Sequence, residues 1–99
     1  MFILEVTYTV PLDTVDDLLE AHVAWVEAQM AAGVFLAAGR KVPRDGGVIL
    51  AAGPSRAEVE KLVTEDPFVV ADVCTYRITE FVATRTAPAL AAVREELPS

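Results

Sequence analysis

The sequence predicts an α+β fold in which four antiparallel strands and two covering helices follow the order strand, helix, strand, strand, helix, strand. Three observations carry that reading. Phe2, Leu4, Val6, Tyr8 and Val10 alternate with Ile3, Glu5, Thr7 and Thr9, the period of a half-buried strand. Asp13 to Ala32 repeats apolar residues at helical spacing, and from Ser55 onward a second helical pattern is followed by a second alternating run, Thr75 to Val82.

Pro11 ends the first strand, and Asp13 or Thr14 offers a side-chain oxygen to the free amides of the helix that follows. Gly33 stops that helix in the left-handed position. Phe35 to Val42 is a second strand, made irregular by Ala37, Ala38 and Gly39, where the glycine admits either a bulge or a ligand. Asp45-Gly46-Gly47 marks a tight turn into the short strand Val48 to Leu50, giving a hairpin. Ser55-Arg56-Ala57-Glu58 has the form of a capping box, with Val59, Leu62 and Val63 as the buried stripe behind it. Glu65-Asp66-Pro67-Phe68 breaks this second helix, because proline cannot continue the ladder and biases Asp66 away from helical dihedrals. After the last strand, Ala87 to Leu97 reads as a short terminal helix with Pro88 in its first turn and Leu90, Val93 and Leu97 on one stripe. This order is the split βαβ arrangement of ferredoxin-like folds, with both helices on one face of the sheet. Residues 1–84 form the expected domain and residues 85–99 a helical extension.

Composition bounds the partners. Ninety-nine residues allow a single core, and a hydrophobic fraction of 54% leaves more apolar surface than a small monomer hides, so a homodimer is expected. The uncovered sheet face, carrying Ile3 and Thr7, is the economical place for the second copy. A net charge of −7 argues against nucleic acid and anionic membranes as partners, and no window approaches a membrane span. Lone Cys74 makes no internal disulfide and no secretory leader is evident, which points to the cytoplasm.

His22 is the only histidine and sits at the centre of the first helix's apolar face, where a leucine is expected. At about 100° per residue, Val15, Leu18, Leu19, Trp25, Val26 and Gln29 surround it, while Asp16, Asp17, Glu20 and Glu27 point away. An imidazole there needs polar partners, since a buried donor or acceptor left unmade costs about 1–3 kcal/mol. Asp66 is the candidate companion: a carboxylate on one ring nitrogen fixes the tautomer and strengthens the other nitrogen as a base. Two plainer readings stand beside it, a satisfied core histidine and an aspartate that only caps the turn at Pro67.

Other chemistry is poorly supported. Ser55 belongs to the capping box, Cys74 has no neighbour that lowers its pKa, and a single histidine with scattered acids lacks metal-ligand spacing. The glycines match neither a phosphate loop nor a dinucleotide fingerprint. Arg40, Lys41 and Arg44 form a basic cluster whose ordinary role is a solvated, edge-protecting turn. Arg85, flanked by Thr84 and Thr86, offers a guanidinium for a substrate carboxylate, and Tyr8 reads as core with a satisfied hydroxyl.

Ala21-His22-Val23-Ala24-Trp25, Ala32-Gly33, Phe35-Leu36-Ala37-Ala38-Gly39, Gly46-Gly47-Val48-Ile49-Leu50 and Asp66-Pro67-Phe68 together resemble the YCII-related (YciI-like) proteins, through Phe81. The resemblance implies a ferredoxin-like dimeric α/β barrel fold and a site centred on a histidine and an aspartate, which match His22 and Asp66. Its distant relatives include isomerase-like and dehydrochlorinase-like proteins acting on ring-derived carboxylates. Ala38-Gly39-Arg40 departs from the serine or threonine, glycine and proline found in many relatives, which alters the rim of the pocket. The resulting expectation is a cofactor-free, metal-free enzyme that transfers a proton on a small anionic molecule by isomerisation or elimination. His22 and Asp66 are its catalytic pair, and Gly39 and Arg85 its substrate contacts. Its rivals are a non-catalytic ligand-binding or accessory module and a monooxygenase-like member of the dimeric α/β barrels.

Overall fold

The structure, a computed structural model, describes residues 1–98. Strands β1 (Phe2–Tyr8), β2 (Phe35–Arg40), β3 (Gly46–Ala51) and β4 (Cys74–Glu80) form one antiparallel sheet in the order β2-β3-β1-β4. Helices α1 (Leu12–Asp16), α2 (Leu19–Ala31), α3 (Arg56–Val63) and α4 (Pro67–Val70) pack on one side of it. This is the ferredoxin-like α+β arrangement that the sequence predicts.

The alternation in β1 orients the sheet. Phe2, Leu4 and Val6 are buried against the helices, whereas Ile3, Glu5 and Thr7 are exposed on the opposite face. Two clusters fill the space under the helices. Phe2, Leu4, Val26, Phe35, Ile49, Val59 and Val63 occupy one end, and Val6, Val15, Phe68, Val73 and Cys74 occupy the end near the Asp66 turn. No helix among the described residues is long and apolar enough to cross a membrane.

Several boundaries differ from the sequence reading. The first helix is two segments, because Leu18 adopts φ −107°, ψ −2° and its amide bonds Val15 at i−3 rather than continuing the α ladder. Asp13 does not cap it from outside. The helix starts at Leu12 after Pro11, without a side-chain cap, and Asp13 Oδ1 accepts from Thr14 N–H. Gly46 and Gly47 are strand residues rather than turn residues: a Cβ on Gly46 would lie 1.7 Å from the carbonyl oxygen of Val6, so close packing on β1 explains the glycine there. The irregularity in β2 falls between Phe35 and Ala37, at Leu36, and not at Gly39. The terminal helix is shorter and tighter than expected, a 3₁₀ helix over Pro88–Val93. A segment this short cannot sustain an α-helix alone, and it docks through Val93 on Met1, Ala52 and Ala83. The capping box at Ser55 and Glu58 and the left-handed Gly33 (φ 78°) form as read.

Candidate functional site

The site forms where α2 passes over the junction of α3 and α4. The last three amides before the break, those of Thr64, Glu65 and Asp66, fold back onto Lys61, Leu62 and Val63 carbonyls and close α3 in a tight turn. Pro67 then starts α4, where its missing N–H costs nothing, and Asp66 becomes the N-cap, with Oδ1 accepting from Phe68 N–H at 2.9 Å. The capping aspartate is fully buried and faces α2, so it meets His22: the ring's Nδ1 is 2.8 Å from the same Oδ1. The two readings of Asp66 offered by the sequence, cap and histidine partner, are therefore both realised by one carboxylate oxygen.

The tautomer follows from the charge of the partner. An ionised carboxylate only accepts, so with Asp66 as a carboxylate it is Nδ1 that carries the proton and donates it to Oδ1. Neutral His22 then holds an unprotonated Nε2, which no group bonds among the described residues. The ring lies flat on Phe68, with centroids 3.9 Å apart and planes 8° apart, and its side chain is 16% exposed. Stacking below and the carboxylate at one edge fix its orientation.

A third partner was not anticipated. The Tyr76 hydroxyl donates to Asp66 Oδ2 at 2.5 Å, so both carboxylate oxygens are satisfied. Burial, and after it the charge of Asp66 and this hydrogen bond, push the Tyr76 phenol far above its usual range, keeping it a donor. Tyr76 shares the inward face of β4 with Ile78, and a tyrosine there must find a partner for its hydroxyl. That requirement was the signal available in the sequence.

His22 opens onto a cavity of about 310 Å³ between α2 and strands β2 and β3. Val6, Leu19, Val26, Ile49 and Phe68 supply much of its apolar wall, while Gly39, Arg40 and Glu27 reach it from β2 and α2. Tyr8 also lines it, packed on the core edge-on to Phe68, and its hydroxyl adjoins the guanidinium of Arg44. Arg85 does not line this cavity. It is exposed beyond the Glu80 end of β4, whereas Tyr8 and Cys74 mark the end at which the site lies. Cys74 is buried, and its thiol is pushed up to about 12 by burial, with the charges of Asp66 and Asp72 adding to the effect, so it is no nucleophile. Among the described residues no cluster of histidine, cysteine and acids has the grouping needed to hold a metal ion.

Among solved structures, the fold is similar to that of the 5-chloro-2-hydroxyhydroquinone dehydrochlorinase TftG from Burkholderia phenoliruptrix AC1100, solved in complex with 2,5-dihydroxybenzoquinone. The TM-score is 0.68 at 22% identity, over 82% of this chain and 93% of that one, a likeness of fold. None of the curated proteins compared matches the chain. The model of the YCII-related domain matches residues 1–82, the stretch that builds the sheet, its helices and the His22 and Asp66 pair, and the chain belongs to the YCII-related domain family.

Proposed function

We propose that this protein is an enzyme that moves a proton on a small anionic organic molecule, by isomerisation or elimination, with His22 as general base and Asp66 holding it. The observation that carries the reading is the division of labour on the imidazole: Nδ1 is tied to a buried carboxylate, and the ring lines an open cavity. Nε2 accepts a proton from an acidified C–H of the bound molecule, and the imidazolium that forms is stabilised by Asp66 across the 2.8 Å contact. Returned to another atom of the substrate, the proton completes an isomerisation. If a leaving group departs with the electron pair instead, the same step is an elimination. Neither route requires a cofactor. The dehydrochlorinase of similar fold bears on this reading, because loss of hydrogen chloride is an elimination and its structure holds a small ring compound.

The working unit is a homodimer, paired through the sheet face that no helix covers. Ile3 and Val48 are each 39% exposed on that face, although their types suit an interior. Light scattering is expected to give twice the chain mass at micromolar concentration.

The test is exchange of solvent deuterium into small carboxylic acids and quinols by the wild type, His22→Gln and Asp66→Asn. Exchange by the wild type that drops about 10²- to 10⁴-fold in His22→Gln supports the assignment. Equal exchange in both contradicts it, and ligand binding without exchange by the wild type assigns the cavity to a non-catalytic binding module.

A further inference from the structure

We infer that Arg40 selects the ligand of this cavity by taking a carboxylate on its guanidinium, which makes a ring-sized organic monocarboxylate the class of molecule that fits. The inference rests on the cavity being the working site and adds what the site recognises.

Three neighbouring cations, Arg40 at the end of β2 and Lys41 and Arg44 in the connection to β3, have three different fates. Lys41 crosses to the uncovered face, where its Nζ donates to Thr7 Oγ1 at 3.2 Å and lies 3.5 Å from Glu5 and 3.8 Å from Asp45. Arg44 binds Asp16 at 2.5 Å and adjoins Tyr8. Arg40 alone of the three lines the cavity, and it has no carboxylate partner among the described residues. The nearby acid that its charge reaches, Asp16, is already taken by Arg44. Glu27, the acid on the cavity wall, forms no ion pair with it. An arginine fork without a partner, at the edge of an apolar cavity, matches a planar carboxylate in two parallel hydrogen bonds.

Register places this cation across the cavity from the base. Arg40 pairs with Gly47, Gly47 with Val6, and Val6 with Tyr76, so the four lie in one row across the sheet. Tyr76 at the far end holds Asp66, which holds His22. Two strand spacings separate Arg40 from Val6, about 10 Å between backbones. The rung between them carries no side chain, and a Cβ on Gly47 would lie 2.9 Å from the Gly39 carbonyl oxygen, so the floor stays bare. A ring bearing one carboxylate lies along this floor with its anion on Arg40 and its body over Val6, reaching toward the His22 side of the cavity.

Benzoate is the probe, with benzamide as its neutral isostere, titrated by NMR into the wild type, Arg40→Ala, Arg40→Lys and His22→Gln. The expected result is saturable benzoate binding that exceeds benzamide binding, falls roughly ten- to a hundredfold in Arg40→Ala and recovers in part in Arg40→Lys. His22→Gln lowers benzoate affinity less than Arg40→Ala does, because the anion sits on the opposite wall, and binding reads the anchor independently of whether His22 is a base. Arg40 is exposed, so its variants are expected to melt with the wild type, which a thermal scan checks. Absence of saturable benzoate binding, equal affinity in Arg40→Ala, or a loss in His22→Gln as large as that in Arg40→Ala overturns the inference.

Discussion

The hydroxyl of Tyr76 donates to Asp66 Oδ2 at 2.5 Å, which joins the central sheet to the turn that holds the histidine. Val6 on β1 pairs with Tyr76, so the carboxylate is braced from the strand layer as well as from α4. Tyr76→Phe keeps the ring and its packing but leaves a buried carboxylate oxygen without its donor. The expected cost is about 1–3 kcal/mol, read as a lower urea midpoint at unchanged slope. An unchanged midpoint would show that the bond contributes nothing net.

Cys74 carries a pH dependence of definite sign. Its thiol has an ordinary value of 9.0 and in the fold is pushed up to about 12, first by burial and then by the charges of Asp66 and Asp72. Between those values the unfolded chain has lost the proton and the native state keeps it, so unfolding releases a proton and stability falls as pH rises. The contribution is fully present below 9.0 and is lost on the way to about 12. Cys74→Ala is expected to flatten the alkaline limb of stability against pH, leaving the further fall that begins near 10 from Tyr76, whose phenol is also raised. At neutral pH the thiol of the native protein is expected to resist a disulfide reagent and to react once urea unfolds the chain.

Two glycines in the β2–β3 hairpin are expected to respond in opposite ways to alanine. A Cβ at Gly46 would meet Val6 backbone oxygen at 1.7 Å and Val6 carbonyl carbon at 2.7 Å, and backbone cannot rotate aside. Gly46→Ala is therefore expected to cost at least about 3 kcal/mol or to block folding. At Gly39 a Cβ meets nothing within 4 Å and φ is unexceptional, so Gly39→Ala is expected to stay within about 0.5 kcal/mol of wild type. Equal melting temperatures for the two variants would contradict the close approach of β3 to β1.

What could be read from the sequence was what is encoded locally. The alternation of β1 and the reciprocal bonds of Ser55 and Glu58 depend on residues a few positions apart, and both form as the pattern predicts. His22 was legible because an imidazole on an apolar face demands a partner, and the family resemblance pointed to Asp66, 44 residues away. Tyr76 was not singled out, since alternation says that a residue faces inward without saying which polar group it meets, and Phe68 was read as part of the Asp66-Pro67-Phe68 motif but not as the ring on which His22 stacks. The pair Gly46 and Gly47 was misread for the converse reason. Asp45-Gly46-Gly47 is a turn signal by local rules, but the approach of β1, a tertiary fact, is what requires the glycine at 46. Arg40, Lys41 and Arg44 looked like one basic cluster because they are adjacent in sequence. Strand direction and the loop that follows send them to three different surroundings.

The central claim, that His22 presents an unprotonated Nε2 to the cavity because Asp66 holds the proton on Nδ1, is tested most directly by ¹⁵N NMR of the imidazole. The measurement is made at a pH where the ring is neutral, in the wild type and in Asp66→Asn. The account predicts that wild-type His22 is the Nδ1–H tautomer, with Nε2 resonating as a bare nitrogen, and that Asp66→Asn weakens this preference by replacing the carboxylate with a neutral amide. A wild-type ring protonated on Nε2, or an equal mixture of tautomers in both proteins, would contradict it.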